Sequence, residues 1–503
     1  MFFTSYQFIL GFLPLTFTGF VLAHRWGGWN WAINFLGAAS LAYYGMFGIP
    51  LLFILLGSIF FNYTMGNVIS SIRDRPALSR NALLLGIGAN LCMLGYLKYT
   101  NFFVDVANQV VGVSFVHHDL LVPIGVSFFT FIQIGYLIDA YNGQLVAHNF
   151  GRYVVFSAFF PCVTAGPLVL QREMMEQMEN PGHRAFDLRR LVVGLTMFGM
   201  GLFKKVVLAD SIAPYANQVF DGATHGSLLD PASAWIGALC YALQLYFDFS
   251  GYSDMAIGLG AIFGFKLPLN FDSPFKATNI SDFWRRWHMT RTRFFTTYVY
   301  SGLAMTGMRR GAKWRLGAVG RFMLAAAIPS IVTFMVAGIW HGSGWTYIIY
   351  GAMHGVAIAS FLAWREFSNI KLPSVIGWAI TMATVVSGLV MFRAADVSTA
   401  GTILADMWGF GSYPIDTTLQ GLDVARACSM IVLLGAITQL LPNTQQILHL
   451  DWPTSDEKPS SAELDAGLLA WRPSFGPALV TAAIYTVALT SIGAGSNFLY
   501  YKF

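Results

Sequence analysis

The sequence predicts an all-α polytopic membrane protein, and three observations lead to this fold class. Only 11% of the 503 residues are charged, whereas a soluble domain carries roughly 25% charged residues. The mean hydropathy is +0.57, and apolar segments are spread along the whole chain. We therefore expect residues 1–503 to form a single membrane domain without a sizeable soluble part.

Twelve apolar runs are long enough, or nearly long enough, to cross a bilayer as helices, which takes about 20 residues each. Several runs are shorter, so we expect about eleven transmembrane helices, some of them tilted or broken. The first run has no basic residue before Arg25, which indicates a retained helix and not a cleaved signal peptide. The runs are 5–23, 31–47, 50–70, 82–97, 120–138, 191–208, 231–247, 321–340, 345–364, 374–392, 422–441 and 476–493.

Basic residues between the apolar runs predict the orientation of the chain. Arg25 follows the first run, and Arg73, Arg75 and Arg80 follow the third. The positive-inside rule then places the N-terminus outside and makes residues 71–81 a cytoplasmic basic loop. The net charge of +5 is accounted for by such loops, so we expect the lipid bilayer and no nucleic acid as a partner.

Two apolar segments contain residues that a simple span avoids. FFPCVTAGPLVLQRE (159–173) has two prolines and a glycine, which predict a broken or re-entrant element shielded by protein. YFDFSGYSDMAIGLG (246–260) places Asp248 and Asp254 among aromatic residues. A carboxylate at membrane depth is costly, so we expect each one to face a cavity or a partner.

The segment 281–300, SDFWRRWHMTRTRFFTTYVY, carries aromatic and basic residues on different sides of a helical wheel. Such a helix belongs in the plane of the membrane interface, and Ser281 with Asp282 suits its start. Two interpretations stay open, an anchor beside anionic headgroups or a cytoplasmic docking site for a phosphate-bearing substrate. The stretch alone favours the anchor. Its four cations are Arg285, Arg286, Arg291 and Arg293.

The longest polar interval, 443–475, is too short for a domain and is predicted to be a loop. The four cysteines show neither a CxxC pair nor a zinc-binding spacing, so we expect buried small hydrophobic residues and no metal site. They are Cys92, Cys162, Cys240 and Cys428.

Only two of the ten histidines lie inside long apolar segments. His341 lies between Trp340 and Trp345 and is followed by two glycines, which suits an imidazole that lines a pocket. His354 looks more like part of a helix face packed on a neighbour. An ionisable group within a membrane is a functional candidate. A buried imidazole with an orienting partner suits general-base attack of a hydroxyl on an acyl group.

Five stretches resemble the membrane-bound O-acyltransferase family, in particular the bacterial branch that includes alginate O-acetylation and teichoic acid D-alanylation. Together they are spread over most of the chain, and the fourth is the most specific. They are VPIGVSFFTFIQIGYLIDAY (122–141), FFPCVTAGPLV (159–169), GLFKKVVLADSIAPYANQVF (201–220), YFDFSGYSDMAIGLGAIFGFKLPLNFDSPFKATNISDFWRRWH (246–288) and GIWHGSGWTYIIYGAMHG (338–355).

The resemblance implies an enzyme whose helices form a ring around a central tunnel. It implies that His341, in Trp-His-Gly, is catalytic and that His288, in Arg-Arg-Trp-His, is its partner. It also implies acetyl-CoA as a cytoplasmic donor, no permanently bound cofactor, and a multi-pass location in a bacterial inner membrane. A periplasmic acetyltransferase or a polysaccharide synthesis protein is the implied partner. The residues expected to bind substrate are Arg285, Arg286, Trp287, Trp340, Asp248, His354 and Asn279.

The chain departs from alginate-type sequences directly after His288. Two extra arginines appear, and Thr296-Thr297 replaces an Arg-Asp pair, so the acceptor polymer stays open. We favour transfer of an acetyl group towards an extracytoplasmic polysaccharide hydroxyl. Transfer of D-alanine or another acyl group to teichoic acid or lipid is the alternative. A transporter with a proton path of aspartates and histidines is a third reading, although no inverted repeat of broken helices is seen.

Overall fold

The computed structural model of the chain is helical in most of the residues that it describes. In these residues there is no β-strand, and one isolated antiparallel bridge joins Phe271 to Trp287. The predicted all-α class is therefore confirmed. The described residues are 1–112, 114–118, 120–179, 187–411, 421–450, 469–493 and 498–499.

Twenty-one α-helices account for most of the described residues. They are α1 (Leu13–Gly45), α2 (Ile49–Ser71), α3 (Pro76–Leu94), α4 (Thr100–Val111), α5 (Val126–Asn142), α6 (Phe150–Ala158), α7 (Gln171–Glu179), α8 (Leu188–Phe203), α9 (Asp210–Thr224), α10 (Pro231–Ile262), α11 (Ile280–Arg286), α12 (Met289–Phe295), α13 (Ser301–Lys313), α14 (Ala318–Phe322), α15 (Ile328–His341), α16 (Trp345–Phe367), α17 (Ser374–Arg393), α18 (Val397–Met407), α19 (Val424–Leu440), α20 (Thr444–Ile447) and α21 (Phe475–Thr490). Short π-helical turns extend several of them, at Gln7–Phe12, Gly95–Tyr99, Lys204–Ala209, Thr296–Tyr300 and Met323–Ala327.

Within the described chain, seven helical segments are long and apolar enough to cross a membrane. The protein is therefore a multi-pass membrane protein, as predicted. The sequence predicts about eleven spans, but α19 and α21 have only 17 and 16 residues. The run at 120–138 becomes helical only from Val126. The seven segments are Gln7–Gly45, Ile49–Ser71, Pro76–Val111, Leu188–Thr224, Ala318–His341, Trp345–Phe367 and Ser374–Arg393.

Helix α10 lies at the centre of the molecule, and nearly all its residues are buried. Asp230 caps its first turn by accepting hydrogen bonds from the backbone N–H groups of Ala232 and Ser233 at 2.9 and 3.1 Å. Helix α8 crosses α10 at close range, since a Cβ on Gly194 would lie 2.6 Å from the carbonyl oxygen of Gly258. Small residues allow membrane helices this close approach.

The two aspartates of α10 are paired with lysines of the π-helical turn Lys204–Ala209. Lys204 Nζ lies 2.7 Å from Asp254 Oδ2, and Lys205 Nζ lies 2.8 Å from Asp248 Oδ1. The expectation that these carboxylates face a partner is confirmed. The carboxylate of Asp248 is directed to Lys205, and its predicted contact with substrate stays a prediction.

The broken element predicted at 159–173 is confirmed. Helix α6 ends at Ala158 and α7 begins at Gln171, and the residues between them are non-helical and almost all buried. The backbone N–H of Leu168 donates to Thr290 Oγ1 at 2.9 Å. Gly166 has φ 103°, a conformation that glycine adopts without the strain a side chain would cause.

The prediction of a single helix over 281–300 is wrong, because the helical conformation is interrupted at Trp287 and His288. Helix α11 ends before this point and α12 begins after it, and His288 has φ 45°, where an α-helix cannot continue. Most of the aromatic residues of the segment are buried in the core and are not spread on a surface. The buried ones are Phe283, Trp284, Trp287, Phe294 and Phe295.

Two predicted loops have different bounds in the structure. The basic loop at 71–81 is reduced to a turn at 72–75, because α3 starts at Pro76, a residue that suits the first turn of a helix. The polar interval 443–475 begins with α20, which is capped by Asn443 and Gln446. Its residues 451–468 lie outside the described part of the chain.

All four cysteines are free thiols. Cys240 is buried and Cys162 partly buried, but Cys92 and Cys428 are exposed on α3 and α19. The prediction of burial is wrong for these two, because an apolar stretch of a membrane helix can face lipid as well as protein.

Candidate active site

The Trp-His-Gly motif lies at the tip of the helical hairpin formed by α15 and α16. His341 ends α15, and α16 begins at Trp345. The two helices touch through their backbones, since a Cβ on Gly351 would lie 2.3 Å from the carbonyl oxygen of Phe334. His341 and His354 are thus carried by two helices in direct contact.

Two side chains of the π-helical turn at Gly95–Tyr99 cap the C-terminus of α15. Lys98 Nζ donates to the carbonyl oxygens of Trp340 and His341, both at 3.0 Å. Tyr99 Oη donates to the carbonyl of Ile339 at 2.6 Å. The last carbonyls of a helix lack partners within it, and a cation there also suits the helix dipole. The sequence analysis did not single out Lys98 or Tyr99, although a lysine at the end of the apolar run 82–97 indicates a residue that needs a polar partner.

The imidazole of His341 is bound by an arginine and enclosed by aromatic rings. Its Nε2 lies 2.8 Å from Arg291 Nη1. Because a guanidinium only donates hydrogen bonds, Nε2 is the acceptor and Nδ1 carries the ring proton. The ring centroids of Trp340, Phe392 and Tyr350 lie 4.8, 5.1 and 6.2 Å from that of His341.

Arg291 is an interior residue. It is only 2% exposed, and its guanidinium carbon lies 4.7 Å from the ring centre of Trp284, a cation–π contact. Arg291 therefore does not lie on an interfacial surface, as the prediction of one interfacial helix over 281–300 implied. The break at His288 turns α12 inwards and directs this arginine at His341.

His354 completes a ring of side chains around the site. Its imidazole contacts Trp284 and Tyr350 edge to face, at centroid distances of 4.9 and 4.7 Å. A Cβ on Gly388 of α17 would lie 2.4 Å from its Nε2. Its Nδ1 is buried and has no hydrogen-bond partner among the described residues. The site ring consists of His341, Arg291, Trp284, His354 and Tyr350.

His288 is held by an asparagine that the sequence analysis missed. Its Nδ1 lies 3.0 Å from Asn270 Oδ1, which also accepts from Thr290 Oγ1 at 2.9 Å, while Asn270 Nδ2 donates to Ser253 Oγ at 3.1 Å. Nδ1 is therefore the donor, and Nε2 is the acceptor nitrogen. Burial, together with the charge of Arg291, lowers the pKa of His288 well below its usual range, so the ring is neutral. Asn270 lies in the most specific of the five stretches, which was the available signal.

Trp340 connects the two predicted catalytic histidines. Its ring centroid lies 5.9 Å from that of His288 and 4.8 Å from that of His341. Its Nε1 donates to the carbonyl oxygen of Ser127 at 3.3 Å. The fold thus brings two histidines from distant motifs into contact with one tryptophan, whose ring packs against both imidazoles.

Three of the arginines predicted to bind phosphate are paired with carboxylates. Arg285 and Arg286 both donate to Asp282, at 2.8 and 2.9 Å. Arg293 binds both carboxylate oxygens of Glu173, at 2.5 and 2.9 Å. The side chain of Arg285 stays 63% exposed, while those of Arg286 and Arg293 are 16% and 20% exposed. Of the three, Arg285 is the one open to a ligand.

Trp287 and Asn279 have structural contacts of their own. Trp287 is 5% exposed and stacks on Phe283 with ring centroids 5.6 Å apart. Asn279 caps α11 by accepting from the backbone N–H of Asp282 at 2.8 Å.

Asn279 also lines a cleft of about 940 Å³ between α16, α17 and the start of α11. Arg365 and Lys371 contribute positive charge to its lining. The ring centroids of Phe322, at the end of α14, and Phe367, at the end of α16, lie 5.3 Å apart. The C-terminal end of α16 is therefore on the same side of the molecule as the turn between α13 and α14. The basic residues around that turn are Arg309, Arg310, Lys313, Arg315 and Arg321.

Residues 125–397 match the model of the membrane-bound O-acyltransferase family. The site ring and His288 lie within this range. The chain belongs to the membrane-bound O-acyltransferase family. This confirms the resemblance, and the protein is an acyltransferase.

Relatives of this membrane-bound O-acyltransferase carry three different names. The peptidoglycan O-acetyltransferase of Helicobacter pylori is 36% identical over 442 residues, which cover 81% of this chain and 80% of that protein. The probable alginate O-acetylase AlgI of Azotobacter vinelandii is 37% identical over 437 residues, covering 86% and 82%. The teichoic acid D-alanyltransferase of Bacillus subtilis is 29% identical over 256 residues, covering 50% and 62%.

Proposed function

We propose that this acyltransferase moves an acetyl group from acetyl-CoA on the cytoplasmic side to a polysaccharide hydroxyl on the other side of the membrane. The observation that carries the proposal is the buried His341, whose Nε2 is directed at Arg291 inside an aromatic enclosure. The names of the peptidoglycan and alginate relatives support acetyl as the group and a polysaccharide as the acceptor.

His341 acts as the general base in this proposal. Its Nε2 accepts the proton of the attacking hydroxyl while the hydroxyl oxygen bonds to the carbonyl carbon of the thioester. The carbon–sulfur bond then breaks, and the leaving thiolate takes the proton from the imidazolium. In the structure Arg291 donates to Nε2, so the guanidinium must turn away before the proton can be accepted. General-base catalysis of this kind contributes about 10²–10⁴-fold.

The enclosure of His341 favours a small acyl group. The rings of Trp340, Phe392 and Tyr350 have centroids between 4.8 and 6.2 Å from that of His341, which is the distance range of ring pairs in contact. A long acyl chain therefore has little room beside the imidazole, and acetyl needs the least.

The charged end of the molecule supports donor access from the cytoplasm. The turn between α13 and α14 is rich in cations, and such loops face the cytoplasm. The cleft with Arg365 and Lys371 lies at that end and is lined by Ile280 and Ala357, about one helical turn from Trp284 and His354. We propose that the phosphates of acetyl-CoA bind at this end, in a bacterial inner membrane. The acetyl group leaves on the periplasmic side, either to a separate acetyltransferase or to the polymer itself.

The test is mass spectrometry of surface polysaccharide from cells that carry the wild type, His341→Ala or the matched control His117→Ala. His117 is an exposed histidine paired with Asp105. We expect His341→Ala to reduce acetylation about 10²–10⁴-fold at normal protein levels, and His117→Ala to leave it unchanged. Full acetylation with His341→Ala would refute the catalytic role.

The same measurement separates acetyl transfer from its alternatives, since the added mass identifies an acetyl or a D-alanyl group. Purified protein with radiolabelled acetyl-CoA distinguishes an enzyme from a transporter. An enzyme leaves label on a partner protein or polymer, whereas a transporter only moves it across a bilayer.

A further inference from the structure

We propose that Arg291 binds the carbonyl oxygen of the acyl group during transfer and excludes positively charged acyl groups from the site. The inference rests on the proposed function and adds to it the residue that selects the acyl group. It begins from the position of one buried guanidinium beside the reacting nitrogen of His341.

The geometry places Arg291 within reach of the reacting atoms. Its Nη1 lies 2.8 Å from His341 Nε2, the nitrogen that must accept the hydroxyl proton. The attacked carbonyl carbon lies about 3–3.5 Å from the hydroxyl oxygen in a reactive arrangement. A guanidinium has five N–H donors in a planar fork, so a small rotation transfers a hydrogen bond from the imidazole to the carbonyl oxygen.

The surroundings of Arg291 make its charge effective. It is 2% exposed, and its guanidinium carbon lies 4.7 Å from the ring centre of Trp284, so protein and not water surrounds the charge. The sequence has no Asp or Glu between Phe283 and Arg365, so this part of the chain supplies no carboxylate to neutralise Arg291. A positioned positive charge in a water-poor site stabilises the negative charge that develops on a carbonyl oxygen.

The reaction balances without an oxidant or reductant. The bond from the hydroxyl oxygen to the carbonyl carbon forms, and the carbonyl oxygen carries a transient negative charge next to Arg291. The carbon–sulfur bond breaks when that charge returns to the carbonyl. The hydroxyl proton passes through Nε2 to the leaving thiolate.

The same cation distinguishes acetyl from D-alanyl. A D-alanyl group carries an ammonium on the carbon next to the carbonyl, whereas an acetyl group is uncharged. With the carbonyl oxygen bound to Arg291, that ammonium lies a few ångströms from the guanidinium, where like charges repel strongly in a buried site. The structure therefore favours an uncharged acyl group.

The test uses purified full-length protein with three synthetic donors, acetyl-CoA, isobutyryl-CoA and D-alanyl-CoA. Isobutyryl and D-alanyl have nearly the same shape, because a methyl group replaces the ammonium, so their ratio measures the effect of the ammonium and not of size. The proteins are the wild type, Arg291→Lys, Arg291→Met and the control Arg172→Met. Arg172 is a surface residue paired with Glu176, and its side chain is 72% exposed.

The wild type is expected to prefer isobutyryl-CoA to D-alanyl-CoA by at least about tenfold. Arg291→Met is expected to lower kcat for acetyl-CoA about 10²–10³-fold, with a smaller change in KM and a donor ratio near one. Arg291→Lys keeps the preference and part of the rate, and Arg172→Met behaves as the wild type. Unchanged kcat and unchanged preference in Arg291→Met would overturn the proposal.

Folding is checked by the thermal unfolding midpoint, and Arg291→Gln replaces Arg291→Met if the latter does not fold. Should the wild type use none of the three CoA esters, the proposed donor is wrong. Arg291 is then tested in cells by mass spectrometry of surface polysaccharide. A loss of the acyl group equal to that of His341→Ala, at normal protein level, supports the role of Arg291. Wild-type acylation in Arg291→Met overturns it.

Discussion

Two imidazoles near one tryptophan owe their tautomers to different neighbours. Arg291 donates to Nε2 of His341, so the proton lies on Nδ1. Asn270 accepts from Nδ1 of His288, which leaves Nε2 as an acceptor. Both rings thus present Nε2 as the basic nitrogen, but a cation controls one and a neutral amide controls the other. The carbonyl oxygen of an incoming acyl group can compete with His341 Nε2 for the hydrogen bond from Arg291. The hydrogen bond between His288 Nδ1 and Asn270 does not occupy the basic nitrogen of that ring.

The role of Asn270 is testable with a substitution of similar volume. Asn270→Leu removes the acceptor of His288 Nδ1 and of Thr290 Oγ1, and leaving buried donors unsatisfied costs about 1–3 kcal/mol each. If His288 takes part in transfer, its displaced ring is expected to lower kcat by up to about 10²-fold, with little change in KM for acetyl-CoA.

The measurement is acetyl transfer per folded molecule, together with thermal unfolding in detergent. Asn101→Leu is the control, because Asn101 bonds to the backbone of His118 on an exposed surface. A destabilised Asn270→Leu protein with wild-type kcat would show that His288 has only a structural role.

At the scale of elements, the break between α11 and α12 creates the site. In one continuous helix, residues 284 and 291 would be two turns apart, about 10.5 Å along the axis. Instead the guanidinium carbon of Arg291 lies 4.7 Å from the Trp284 ring centre. The left-handed backbone of His288 folds the second piece back, so one residue both carries an imidazole and turns the chain.

The cap at the end of α15 leads to a second prediction at this scale. Lys98→Met removes the donor to the carbonyls of Trp340 and His341, and a hydrogen bond to a charged group contributes about 1.5–3 kcal/mol. We expect a lower unfolding midpoint and slower transfer, because the backbone of His341 is no longer fixed.

Tyr99→Phe provides a graded comparison, since it removes only the bond to Ile339, at a cost of about 0.5–1.5 kcal/mol. Both variants are measured by thermal unfolding and by acetyl transfer. Equal stability of Lys98→Met and the wild type would show that the cap does not hold α15.

At the scale of the whole molecule, a buried ionic network joins parts of the chain that are far apart in sequence. Lys205 Nζ lies 2.6 Å from Asp210 Oδ1 and 2.8 Å from Asp248 Oδ1. Asp248 also accepts from the backbone N–H of Leu499 at 3.2 Å. Central helix α10, the π-helical turn after α8 and the segment at 498–499 thus meet at one carboxylate.

Asp248→Asn is predicted to destabilise the whole protein. Breaking a buried ion pair by removing one charge costs about 3–5 kcal/mol, so the unfolding midpoint and the amount of folded protein should fall. Asp221→Asn is the control, because its pair with Arg393 is 3.4 Å long and Asp221 is 62% exposed, which makes it worth about 0–1 kcal/mol. Equal unfolding midpoints for the two variants would contradict the prediction.

The sequence by itself determined the class of the protein. Low charge and long apolar runs exclude a soluble fold, and the buried aspartates, the broken segment at 159–173 and the two histidines could be recognised because polar groups in apolar stretches are costly. Helix ends such as Pro76 were harder to place, since capping depends on local geometry.

Only the tertiary structure decided how the site is assembled. Arg291 looks like a surface cation in sequence, and only the turn at His288 places it beside His341. Asn270, Lys98 and Tyr99 act through contacts with residues up to 243 positions away. Hydrophobic periodicity reports which face of a helix is buried, but it does not report which partner that face meets. For this reason the sequence alone indicated which residues carry the chemistry, whereas only the structure shows which of them are in contact.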